Sequence, residues 1–317
     1  MSRTTCPKSK LTDWLPVVGL SCTAFIFVTT ELLPVGLLPD IASTFARSEA
    51  STGILLTVYA WMVALMSLSL TVMSAGLNRR TLILSLLVLF AAGNFFASLS
   101  NSFPMLMAAR CCIALCHAVF WSIATPLAAR VAPREQKARA LSLVVGGTSI
   151  AMVLGVPVGI LLGHHLGWRS AFAVVGAAAL LIFLLMSRLL PSLPSANTGS
   201  LRSLPRLLHN ADLSKVYLLT LLTVIGHFIL STYFAPYMAR MGGFSPGAVA
   251  GLLLVTGGSG VVGSAVGGRY ADRFPRIMLP APLCVMLVCL VLMPFVRAGI
   301  TSAAVLCFFW GAAMQQF

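Results

Sequence analysis

The sequence predicts an all-α membrane protein of many spans, and three observations carry that reading. Of its 317 residues, 59% are hydrophobic and only 9% charged, with a mean hydropathy of +0.98. A soluble domain carries about a quarter charged residues. The apolar residues fall in ten runs, most of them long enough for a helix to cross about 30 Å of hydrocarbon. Finally, Lys and Arg gather in alternate loops.

The first run is Trp14–Leu38. Lys8 and Lys10 precede it, as in a signal peptide. The run is long, however, and holds Glu31 and two prolines where a small-residue cleavage site would stand, so it reads as a span. Ser51–Ser74, Thr81–Ser98, Pro104–Ala129, Leu141–Gly163 and Ser170–Ser187 complete a first set of six. Pro191–Ser214 is basic and rich in Pro, Ser and Asn, and reads as a cytoplasmic linker. Val216–Met238, Gly247–Gly268 and Ile277–Val296 follow, and a tenth run starts near Thr301. The chain thus divides into a six-helix bundle at 1–190, a linker at 191–214 and a partial second bundle at 215–317. Two halves around a central linker is a plan that secondary transporters use.

Placing the N-terminus in the cytoplasm puts sixteen Lys and Arg in inside segments. Only Arg47, Arg169, Arg240 and Arg297 are then outside, and Arg110 lies within a span. This is the asymmetry that orients multi-span proteins. It accounts for the net charge of +14 through topology and anionic lipid, with no call for nucleic acid.

Two motifs are false leads. Cys112, Cys116 and His117 resemble a soft metal site, but no second cluster stands at ligand spacing. No metal or other cofactor is expected, and the cysteines read as buried free thiols. Gly258-Ser259-Gly260-Val261-Val262-Gly263 satisfies a dinucleotide fingerprint, yet it sits inside an apolar helix without the strand that such a site needs. Gly263 and Gly267 instead form a GxxxG pair for close helix packing. No paired Asp, Ser–His pair or metal cluster supports an enzyme.

The ionisable residues inside the spans are the candidates for function. Glu31 stands in TTELLPVGLLPD, otherwise uncharged up to its final Asp40. Burial disfavours a charged carboxylate and a nearby cation favours it, so a group balanced between the two can bind and release a proton. The plainer reading is a hydrogen-bonded Glu that fixes packing. Arg110, Ala114, His117 and Trp121 share one helical face, at offsets of four, seven and eleven. Arg110 keeps its proton and so needs an anion or backbone carbonyls; both readings stand. His117 suits a proton relay or a hydrogen bond to substrate, and equally a satisfied interior imidazole. Whether Glu31 pairs with Arg110 is left open.

Tyr59 and Trp61 are candidates to stack a ring of a bound molecule, with aromatic packing as the commoner role. In the seventh run Thr220, Thr223, His227 and Ser231 make a polar stripe, followed by Tyr233 and Tyr237. Such a stripe lines a cavity or bonds between helices.

Several patterns together resemble the major facilitator superfamily. Gly268-Arg269-Tyr270-Ala271-Asp272-Arg273-Phe274-Pro275-Arg276 is similar to its loop signature, with Pro275 where a glycine is usual. The loop Ser74–Arg80 keeps both arginines but has Ala75 in place of the acid. Arg110 matches the buried arginine of the fourth span. Gly155-Val156-Pro157-Val158-Gly159 resembles the glycine–proline motif of antiporters, and Gly167-Trp168-Arg169 is also typical. TTELLPVGLLPDIA, LTVYAWMVALMSL and HAVFWSIATPLAARVAP look like the bacterial sugar efflux branch.

The resemblance implies two six-helix bundles, the second incomplete here at about nine full spans and part of a tenth. It also implies proton-coupled export of sugar-like molecules by alternating access, from a site near the midplane between the bundles. Glu31, Arg110 and His117 would serve proton coupling, with Tyr59, Trp61, Trp121, His227, Ser231 and Tyr233 at the substrate cavity. Asp272, Arg273 and Arg276 would gate. The expected setting is a bacterial inner membrane, in a monomer if the chain is full length. A multidrug/proton antiporter for apolar compounds is the rival, and an inactive fragment is a third expectation.

Overall fold

The structure is a computed structural model that describes residues 11–133, 136–194, 210–240, 242–270, 273–278 and 280–315. Every regular element among the described residues is helical. Ten main helices follow the ten apolar runs: α1 (Leu15–Gly36), α2 (Ile54–Met73), α3 (Arg79–Ser98), α4 (Phe103–Val131) and α5 (Lys137–Leu166). They continue as α6 (Trp168–Leu189), α7 (Ala211–Arg240), α8 (Pro246–Tyr270), α9 (Pro280–Leu292) and α10 (Ile300–Met314). Eight of the described stretches are long and apolar enough to cross a membrane. The chain divides into two compact units, Met1–Ala196 and Asn197–Phe317.

Local chemistry sets the helix ends. Asn78 caps α3 by accepting the Arg80 N–H, and Ser102 caps α4 by accepting the Met105 N–H ahead of Pro104. Gly167 joins α5 to α6 at φ +84°, a conformation that a side chain would strain. The ninth span runs as one candidate crossing over Arg276–Phe295 and passes from α-helix into a 3₁₀ turn at Met293–Ala298, where Pro294 withholds a backbone donor.

In the first unit α1 lies against α5, α2 against α4, and α3 against both α4 and α6. Phe27 stacks between Phe90 at 4.0 Å and Phe120 at 4.4 Å, joining α1, α3 and α4 at the middle of the core. Leu65, Leu68, Leu181, Leu184 and Leu185 point outward, as a lipid-facing surface requires.

The fifth span contains one π-helical turn, Ala151–Gly155, just before Pro157. Proline cannot donate to the ladder and its ring crowds the preceding turn; the widened turn takes up that mismatch. The Gly155–Gly159 motif then serves close approach. A Cβ at Gly155 would meet Thr29 and Phe25, and one at Gly159 would meet Leu33. The motif therefore seats α5 on the helix that carries Glu31.

At the start of α6, Trp168 donates its indole N–H to Thr44 Oγ1 at 3.0 Å, and Arg169 donates twice to the Ser100 carbonyl, at 2.7 and 3.2 Å. His164 Nδ1 meets Asp40 Oδ2 at 2.8 Å. These ties fasten one end of the bundle.

In the second unit α8 packs closely on α10: a Cβ at Gly263 would collide with the Ala312 carbonyl, and one at Gly311 with that of Thr256. Phe234, Met286, Cys307 and Trp310 form its core with Leu252. The Gly258–Gly263 stretch lies within α8, with no strand ahead of it among the described residues.

Candidate functional site

The site grows from one proline. Pro34 lies inside α1 and has no N–H, so the carbonyl of Thr30, four residues earlier, loses its helical donor. Arg110, 1% exposed on α4, fills that position: one guanidinium nitrogen donates to Thr30 O at 2.8 Å and another to Glu31 O at 3.4 Å. The cation also sits 4.1 Å from the ring centre of Tyr59 on α2, a contact worth about 2 kcal/mol when desolvated. Arg110 Nε is buried without a hydrogen-bond partner.

Arg110 thus holds the backbone of Glu31, and among the described residues no ion pair joins it to the carboxylate. The carboxylate reaches His117 instead, with Oε2 3.4 Å from Nε2. His117 is otherwise enclosed. Its Nδ1 is 2.9 Å from the Tyr59 hydroxyl, and its Nε2 is 2.6 Å from the Trp121 indole nitrogen. The side chain of His117 is 4% exposed while that of Glu31 is 42% exposed, so the acid forms the open end of the pair.

An indole N–H only donates, so its bond to Nε2 requires an unprotonated nitrogen there. The ring proton then belongs on Nδ1, donated to the Tyr59 oxygen. A protonated Nε2 would donate to Glu31 and lose Trp121. Glu31 and Trp121 therefore compete for one nitrogen, and the winner depends on where the proton is.

Glu31, Tyr59, Arg110, His117 and Trp121 form this one cluster. Trp61 does not join it, being 61% exposed two residues from Tyr59 on α2. Tyr59 itself is 3% exposed, with Arg110 over its ring. In the second unit His227 packs on Trp310 at 5.3 Å and lines an apolar cavity of about 230 Å³ with Leu230 and Met286. Thr220 and Thr223 of the predicted stripe bond back to the Val216 and Leu219 carbonyls of their own helix. The side chains of Ser231 and Tyr233 lie outside what is described, as does Asp272. Arg273 and Arg276 are exposed beside the short helix Pro275–Met278.

The sequence reading missed Thr30 and Asn94. Both are buried, with Thr30 Oγ1 3.5 Å from Asn94 Oδ1, behind the carbonyl that Arg110 holds. A lone Asn in the apolar run of α3 was the available signal. In the loop before α3, where the signature acid is replaced by Ala75, Arg79 turns to the Ser74 and Ala75 carbonyls.

The family model of the Major Facilitator Superfamily matches residues 20–316. The chain belongs to that superfamily. Two solved structures share its fold. A bacterial homolog of the human lysosomal transporter Spinster, inward-facing and unoccupied, is 18% identical at a TM-score of 0.62, covering 97% of this chain and 74% of its own. The proton:xylose symporter XylE bound to 6-bromo-6-deoxy-D-glucose is 14% identical at a TM-score of 0.67, covering 96% and 79%. Membership makes this multi-pass protein a secondary transporter of small molecules and not an enzyme.

Proposed function

We propose that this major facilitator chain is a proton-coupled exporter of sugars or sugar-like molecules in a bacterial inner membrane. The observation that carries the proton part is His117 Nε2, shared between the Glu31 carboxylate at 3.4 Å and the Trp121 N–H at 2.6 Å. Glu31 takes up a proton at the open end and His117 reads its arrival. Arg110 holds the Glu31 backbone in place and keeps a positive charge beside both. The sugar part rests on the resemblance of TTELLPVGLLPDIA and its companion segments to sugar efflux proteins, and on the shared fold with a xylose transporter.

The test is proton movement in proteoliposomes carrying a pH-sensitive dye. Arabinose added to one side should drive protons across with the wild-type chain and not with Glu31→Gln, which should still insert. Unchanged coupling in Glu31→Gln would end the assignment of that residue. The apolar walls of the cavity beside His227 favour a second reading, export of apolar compounds. Flux driven by a hydrophobic cation and not by arabinose would select it.

A further inference from the structure

A groove of about 670 Å³ runs along the outer surface of the first unit between α3 and α6, away from the Glu31 cluster. Its two ends differ in chemistry. At the end where α3 begins, it is lined by Asn78, Arg80, Thr81 and Ser192. Farther along, its walls are Leu84, Val88, Leu89 and Phe183, with Ser85 the polar exception. Val88 and Leu89 are 41% and 51% exposed, so this part opens sideways.

The polar end is built for an anion. Arg80 donates to the Ser187 carbonyl at 2.6 Å, which draws its guanidinium across from α3 to the end of α6. That bond uses one of five guanidinium donors. Asn78 is fixed on both sides, donating to Ser192 Oγ at 2.9 Å and accepting the Arg80 and Leu193 N–H groups. Arg79 in the first turn of α3 and Arg188 in the last turn of α6 add positive charge. Among the described residues, no acidic side chain lines the groove.

Length selects the ligand. From Arg80 to Leu89 the helix rises about 14 Å, half of a hydrocarbon core of about 30 Å. A small phosphate would occupy only the polar end and leave the apolar walls unused. We propose that the groove holds one anionic phospholipid, its phosphodiester at Arg80 and an acyl chain along Leu84, Val88, Leu89 and Phe183. The lipid would brace α3 against α6 within the leaflet that meets the arginine-rich end.

Native mass spectrometry of the full chain, released from micelles doped with phosphatidylglycerol or phosphatidylcholine, tests this. One retained phosphatidylglycerol is expected, in preference to phosphatidylcholine. Arg80→Gln should weaken that retention about fivefold, the worth of one basic side chain at an anionic surface, and Arg80→Lys should keep most of it. Leu89→Trp, at an exposed position, should displace the lipid by filling the acyl part; it decides the matter if Arg80→Gln fails to fold. Equal retention of the two lipids overturns the proposal. So does wild-type retention by both Arg80→Gln and Leu89→Trp, or full displacement by glycerol phosphate, which would mark a site for the headgroup alone.

Discussion

Arg110 supplies to the Thr30 carbonyl, at 2.8 Å, the hydrogen bond that the Thr30 helix cannot make for itself. The donor comes from α4, eighty residues on, and the need for it arises from Pro34. Two residues that look like separate irregularities in the sequence are thus one device.

That dependence predicts a particular non-additivity. Arg110→Ala should cost about 1–3 kcal/mol, the penalty for a buried group left without its partner. Pro34→Ala restores a helical N–H, so the double variant should recover part of the loss. Thermal midpoints in detergent measure this, and proton flux should stay absent in both Arg110 variants. An additive double variant would mean that the Thr30 carbonyl is not what Arg110 serves.

Trp121→Phe should weaken proton coupling while the fold persists. The indole N–H bonds only to an unprotonated Nε2 of His117, so its removal leaves that nitrogen to Glu31 alone. Tyr59→Phe removes a partner from Nδ1 and should lower the rate while the fold persists. Proton flux in proteoliposomes, read beside thermal midpoints in detergent, separates these effects from plain loss of structure, which would lower both.

Gly155→Ala forces a methyl group toward Thr29 and Phe25, and overpacking of that kind costs about 1–3 kcal/mol. Gly76→Ala is its control, since nothing lies within 4 Å of the added carbon. The expected result is a lowered thermal midpoint for the first variant and little change for the second. Equal midpoints would remove the α1–α5 seam from the account of stability.

Trp61→Leu should leave stability within about 0.5 kcal/mol, as exposed substitutions usually do. If Trp61 stacks a sugar, the variant raises KM for arabinose in the proteoliposome assay. An unchanged KM assigns Trp61 to the outer surface alone.

The spans were legible because hydropathy and length are properties of contiguous residues. Glu31 stood out for the same reason, as an acid in an apolar run. Arg110, His117 and Trp121 were legible as a face because helical offsets place them so, and the His117–Trp121 bond is local to one helix. What binds Tyr59 to them was not legible. Tyr59 lies 58 residues from His117, and only the packing of α2 on α4 brings the hydroxyl to the ring. The threonines of α7 were legible as a stripe: Thr223 lines the cavity with His227, while the hydroxyls of Thr220 and Thr223 take their acceptor one turn back on the same helix.

The seam of glycines on α5 has a mechanical meaning. From Gly147 against Ser21 to Gly163 against Leu37, the two helices lock at every turn or two, like teeth of a closed zip. Such a pair resists sliding, because each step would drive a backbone into a side chain. If Glu31 takes up a proton as proposed, the seam leaves two answers: rotation of side chains within the cluster, or the whole plank of two helices tilting together.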